Sequence, residues 1–174
     1  MPLTNIIIWR HAEAGLVAST CLDADRALTK KGLADAQHMA AWLKKQLPED
    51  VQVYCSPALR CRQTVDALLT LNKKKTYQVE YTEHLALESD VEKIFRHLSE
   101  SLCDTVLLVG HQPLLGELVS GLLFEAVEKS FAIKKGAVWW LRHQQNREVA
   151  ALLTSPKLQG KLEILTVQHP KFFQ

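Results

Sequence analysis

Apolar positions along the chain follow two rhythms, and the switches between them mark the elements. Asn5 to Trp9 is a short, β-branched apolar run, the pattern of a buried strand. Leu33, Ala36, Ala40, Leu43 and Leu47 then recur at helical spacing, with Thr29 as N-cap and Pro48 as the stop. Val51 to Cys55 alternates apolar and polar and reads as a strand. Ser56-Pro57 opens the next helix, Ser56 capping and Pro57 in the first helical position, with Ala58, Cys61, Val65 and Leu68 facing the core. Gln78 to Tyr81 gives a further short strand. Ser89-Asp90-Val91-Glu92 matches a capping box, followed by Val91, Ile94, Phe95, Leu98 and Leu102 on one helical face. Thr105 to Val109 is a fully apolar strand, and Leu115, Leu118, Val119 and Leu122 form the face of another helix. Ala137 to Leu141 and Glu148 to Leu153 flank a polar turn at Gln144-Gln145-Asn146 and predict a hairpin, with Trp139 and Trp140 on opposite faces of its first strand. The last twenty residues carry no decisive pattern.

Strands alternating with helices predict an α/β fold: a three-layer sandwich with a mostly parallel central sheet and helices on both faces, the hairpin adding antiparallel strands at one edge. No repeat or linker interrupts the order, so residues 1–174 read as a single domain. Lys and Arg number 21 against 19 Asp and Glu, too even a balance to predict nucleic acid or a membrane surface as a partner. Met1 to Asn5 lacks the basic start of an export signal, and no apolar run approaches the roughly 18 residues of a membrane helix. Cys21, Cys55, Cys61 and Cys103 form no C-x-x-C pair and read as free packing thiols, which predicts a cytoplasmic location.

In parallel sheets, ligands bind beyond the carboxyl ends of the strands. Here those ends carry Arg10-His11, the turn leading to Arg60, and Gly110-His111. Two guanidiniums grip phosphate oxygens in a permanently charged fork. A neutral imidazole, with its reference pKa of about 6.5, is a usable nucleophile. A second, protonated histidine would stabilise a transferring phosphoryl group. A cysteine nucleophile would need arginine six residues on, yet Cys21, Cys55, Cys61 and Cys103 are followed there by Ala27, Cys61, Ala67 and Val109. His38, His84, His97, His143 and His169 stand in no metal-ligand spacing, so neither a metal nor a cofactor is expected.

Four segments carry a resemblance. Arg10-His11-Ala12-Glu13-Ala14 resembles the R-H-G signature of the histidine phosphatase superfamily, whose SixA-type branch often reads R-H-G-E-A. Arg26 to Gly32 is similar to that branch's R-x-L-T-x-x-G, Ser56 to Thr64 to S-P-x-x-R-x-x-Q-T, and Leu108 to Pro113 to the segment bearing the second histidine. The resemblance implies a phosphoglycerate mutase-like fold and a metal-independent phosphatase. His11 would be the phospho-accepting nucleophile, with Arg10, Arg60 and His111 completing the phosphate pocket. Ala12 stands where the signature has glycine and puts an extra methyl beside the nucleophile. The general acid stays open between Glu13, Glu83 and none at all. Arg26 is equally a loop salt bridge or a substrate contact. The branch implies a phosphohistidine-containing protein, such as a phosphotransfer domain, as partner. A phosphatase of small phosphomonoesters is the alternative, and a binding module that keeps the arginines without turnover is a third.

Overall fold

β-Branched and large apolar residues at the carboxyl-directed runs do form the sheet that the pattern implies. The computed structural model describes residues 3–16, 22–71, 77–124, 130–143 and 162–173. Its strands are β1 (Asn5–Arg10), β2 (Gln52–Cys55), β3 (Gln78–Tyr81), β4 (Thr105–Gly110), β5 (Val138–His143) and β6 (Leu162–Gln168). They form one sheet in the order β3-β2-β4-β1-β5-β6. The first four run parallel, β5 pairs antiparallel with β1, and β6 antiparallel with β5.

The helices are α1 (Lys30–Gln46), α2 (Leu59–Leu71), α3 (Val91–Ser99) and α4 (Leu114–Phe124). The chain moves outward from β1 through β2 to β3, then returns to place β4 between β1 and β2. Right-handed crossovers in opposite directions put their helices on opposite faces. Period-2 alternation divides the core accordingly. Ile7, Trp9, Leu107 and Val109 pack with Ala36, Met39, Leu43, Val65 and Leu68 of α1 and α2. Ile6, Ile8, Val106 and Leu108 pack with Ile94, Leu98, Leu115 and Leu118 of α3 and α4. All six residues of β4 are buried, as a strand covered on both faces requires. Trp139 joins the second cluster and Trp140 the first, so the pair straddles the sheet as expected.

Several local expectations shift. Thr29 does cap α1, its hydroxyl accepting from Gly32 N, but Leu33 is 42% exposed. Gly32, Ala36, Met39, Ala40 and Leu43 form the buried stripe instead, because Gly32 is the residue docked against the Glu13 backbone. Helix α2 begins at Leu59 rather than Pro57. The α3 cap is Asp90, which accepts from Lys93 N, not Ser89. That helix ends at Ser99, whose hydroxyl turns back onto the Arg96 carbonyl, leaving Leu102 outside and 83% exposed. The expected strand at Glu148 to Leu153 lies outside the described residues. The observed partner of β5 is β6, in the stretch without a decisive pattern. As an edge strand it leaves Ile164, Leu165 and Val167 exposed, so no buried face disciplines its sequence.

Candidate active site

The parallel ladder runs one residue past each strand and fixes the site's first residues. His11 N donates to the Gly110 carbonyl at 3.0 Å and Ser56 N to the Val109 carbonyl at 2.9 Å. Ser56, His111 and His11 therefore stand side by side at the carboxyl ends of β2, β4 and β1. Neighbouring strands lie about 4.8 Å apart, and the rings of His11 and His111 have centroids 5.2 Å apart. Both rings are buried, at 4% and 2% exposure.

His11 Nδ1 lies 2.7 Å from the Ala12 carbonyl oxygen. A carbonyl only accepts, so Nδ1 holds the proton and Nε2 keeps its lone pair. Burial is the main cause that lowers the His11 pKa to about 4, with Arg60, Arg10 and Lys135 adding repulsion. Burial also leads for His111, whose pKa falls to about 3 under Arg60, His11 and Arg10. Both shifts favour the neutral imidazole beside the two guanidiniums, so a protonated His111 calls for negative charge brought against it.

Arg10 is the last residue of β1 and Arg60 lies in the first turn of α2, 2% exposed. Arg10 Nη1 donates to the Ile133 carbonyl at 2.6 Å. Arg60 donates through Nη1 to the Asp23 carbonyl at 2.6 Å and through Nη2 to Asp23 Oδ2 at 2.8 Å. The Nε atoms of both arginines are buried and have no partner among the described residues. Leaving such donors unpaired is costly; two of them beside a histidine pair make an acceptor-seeking pocket. So the structure brings together all four expected residues, Arg10, His11, Arg60 and His111.

The sequence reading missed the residues that hold these four. Ser56, read as a helix cap, accepts only a long 3.4 Å bond from Ala58 N and has its Oγ 2.8 Å from His111 Nε2. Cys61, read as packing, is buried and also places its sulfur 3.5 Å from His111 Nε2. Thr64 Oγ1 accepts from Ala12 N at 3.1 Å, and Gln63 Oε1 accepts from Leu28 N at 2.7 Å. The Q-T of the third motif thus fastens the loop after β1. Asp23 joins Arg60 to Arg26, the latter at 3.4 Å, so Arg26 is at least a loop ion pair. Only the charge pattern D-x-x-R at residues 23–26 hinted at this. Ala12 is fully buried in the core cluster of α1 and α2, which absorbs its methyl.

The two carboxyl candidates part company. Glu13 is tied to the start of α1: its carbonyl accepts from Thr29 N at 3.0 Å and its Oε1 from Thr29 Oγ1 at 2.9 Å. Glu83 is exposed and, with Ala24, Ser56, Pro57, Ala58 and Glu88, lines a cavity of about 350 Å³. Among the described residues, no group of three or more His, Cys, Asp or Glu could hold a metal ion. No helix among them is long and apolar enough to cross a membrane.

Residues 6–86 match the family model of the histidine phosphatase superfamily, branch 1. The chain is 34% identical over 122 residues to the phosphohistidine phosphatase SixA of Escherichia coli K12, spanning 68% of this chain and 73% of that protein. Among solved structures, the protein histidine phosphatase SixA complexed with tungstate superposes with a TM-score of 0.76 at 24% identity, covering 98% of this chain and 99% of that one. The alpha-ribazole phosphatase of Shigella flexneri shares the fold at a TM-score of 0.65 and 18% identity, covering 81% of this chain and 91% of that one.

Proposed function

Because the chain belongs to the histidine phosphatase superfamily, and is by that membership a phosphatase, we propose that it removes the phosphoryl group from phosphohistidine on a partner protein through a phosphorylated His11. The observation that carries this reading is the pair of neutral histidines 5.2 Å apart with the unpartnered Nε donors of Arg10 and Arg60 buried beside them. The likeness to the E. coli phosphohistidine phosphatase supports the substrate class. A neighbour of the same fold holds tungstate, a tetrahedral oxyanion of the shape that such a pocket would take.

The chemistry follows from the tautomer. His11 Nε2 attacks phosphorus and forms an N–P bond as the bond from phosphorus to the substrate imidazole breaks. Arg10 and Arg60 hold the phosphoryl oxygens. An entering dianion offsets both guanidiniums, so His111 takes up a proton on binding and donates it to a phosphoryl oxygen. The substrate ring carries a proton on its other nitrogen, so when the N–P electron pair returns to the ring it leaves as neutral imidazole and makes small demands on a general acid. Water then attacks phosphorus, the His11 N–P bond breaks, and inorganic phosphate departs. Cationic side chains do throughout what a metal does in other phosphatases, so no metal is required.

The alternative, a small phosphomonoester as substrate, draws support from the cavity of about 350 Å³ beside Ser56, where Glu83 would protonate an alkoxide. The deciding experiment compares kcat/KM on a phosphorylated histidine-containing phosphotransfer domain with that on 3-phosphoglycerate and sugar phosphates. The phosphodomain is expected to be faster, with acid quench trapping phosphate on His11. A faster monoester would move the assignment to the alternative, and phosphate trapped on any other residue would end the proposed mechanism.

A further inference from the structure

A second concavity lies at the same end of the sheet, on the far side of the turn that holds Arg10. It measures about 410 Å³ and is lined by Ala132, Lys134, Ala137, Trp139, Val167, His169, Lys171 and Phe172. One wall is the turn 132–137, which also builds the phosphate pocket. Its Ile133 carbonyl accepts from Arg10 Nη1, and Gly136 N reaches the Arg10 and His11 carbonyls at 3.1 and 3.0 Å. The other wall is the end of β6 and the 3-10 turn Pro170–Phe172. Register fixes the separation: Val138 pairs with Trp9, so Trp139 is one strand over and two residues back from Arg10. At about 3.3 Å per residue and 4.8 Å per strand, the groove floor lies on the order of 8 Å from the Arg10 backbone.

The groove's composition is selective. Trp139 supplies its floor, its ring tilted against Phe131 at a centroid separation of 5.5 Å, and Phe131 in turn stacks on Phe124 at 5.9 Å. Phe172, 74% exposed, and Val167, 41% exposed, form the outer lip. Every ionisable lining residue is a base: Lys134, Lys171 and His169. Among the described residues the carboxylate acting on His169 is Asp35, which Lys31 engages. Lys135, exposed on the same turn, adds positive potential at His11. The opposite rim of the site carries Glu83 and Glu88. The approach to His11 is therefore basic and apolar on one side and acidic on the other.

We propose that this groove docks an acidic, amphipathic segment of the phosphoprotein substrate, one whose apolar side chains seat on Trp139 and Phe172 while its carboxylates meet Lys134 and Lys171. The inference rests on the phosphohistidine-protein reading above. A turn of chain separates groove and phosphate pocket, so one occupant fills both only if a macromolecule presents its phosphohistidine beside the docking segment. A free phosphate ester fills the pocket alone.

The test pairs two substrates: a phosphorylated histidine-containing phosphotransfer domain and phosphoramidate, the small N-linked phosphate. The variants Lys171→Glu and Phe172→Ala change exposed side chains outside the phosphate pocket and outside the turn 132–137. For Lys171→Glu, kcat/KM on the phosphodomain is expected to fall about tenfold or more, chiefly in KM and less at high salt, while phosphoramidate stays within about twofold. Phe172→Ala is expected to weaken the phosphodomain alone, with no change in salt dependence. Equal losses on both substrates, or none on either, would overturn the docking surface while leaving the phosphohistidine activity standing. A wild-type protein that hydrolyses monoesters but not the phosphodomain removes the functional reading, and the groove's partner with it.

Discussion

Lowering the pH should destabilise this protein through its own active site, by an amount that the two buried histidines set. Unfolded imidazoles titrate near 6.5, whereas folded His11 and His111 titrate at about 4 and about 3. Between those values the unfolded chain binds protons that the folded chain refuses, so stability rises with pH and is lost as pH falls below 6.5. Integrated from pH 6.5 to 4.5, the difference costs about 2 kcal/mol for each histidine and about 4 kcal/mol for both. That is a large part of the roughly 5–15 kcal/mol that holds an ordinary domain. Urea denaturation in phosphate-free buffer at the two pH values measures it. Carboxylates titrate over the same range, so the comparison must be with His11→Asn and with the double variant His11→Asn/His111→Asn. The single variant should lose about 2 kcal/mol less than wild type between the two pH values, and the double about 4 kcal/mol less. Inorganic phosphate should shrink the effect, because a bound dianion favours the protonated ring. Identical pH dependence in all three proteins would refute the claim that both rings are held neutral by burial and the two arginines.

Three further outcomes follow from named contacts. Ser56→Ala removes the 2.8 Å partner of His111 Nε2 and should lower kcat about tenfold to a hundredfold with little change in KM, a split that steady-state kinetics resolves. Gly32→Ala places a methyl 2.0 Å from the Glu13 carbonyl oxygen, which should cost about 1–3 kcal/mol in a urea titration and also slow turnover, because the displaced segment leads straight to His11. Extended dialysis against EDTA should leave activity unchanged, and a loss restored by one divalent ion would contradict the mechanism.

The chain's rhythms carried the fold because its strands are unequal in the way that a parallel sheet requires. Val106 to Val109 are buried on both faces and read as an uninterrupted apolar run, and β1 does the same. β6 did not declare itself: at the edge, with one neighbour and exposed Ile164, Leu165 and Val167, its sequence is under little constraint. The four charged or nucleophilic residues were legible because each sits at a strand's last residue, just past it, or in the following helix. Their supports were not. Ser56 has the sequence context of a helix cap, and only the arrival of His111 from β4 gives its oxygen another partner. Thr64 and Gln63 are ordinary helix residues until the loop after β1 folds back onto them.

The arrangement also explains how one set of cations serves two opposed needs. A phosphate pocket needs positive charge, and a histidine nucleophile needs a lone pair, which nearby positive charge preserves by discouraging protonation. Arg10 and Arg60 meet both conditions because they are permanent cations that exchange no proton with the imidazoles. Arg10 Nη1 is held by the Ile133 carbonyl and both Nη atoms of Arg60 by Asp23, which orients the two guanidiniums, while their buried Nε donors have no partner among the described residues. In the proposed mechanism the negative charge of an entering phosphoryl group opposes that field, and His111 would then hold a proton. The nucleophile would be ready before the substrate arrives, and the acid would form with it.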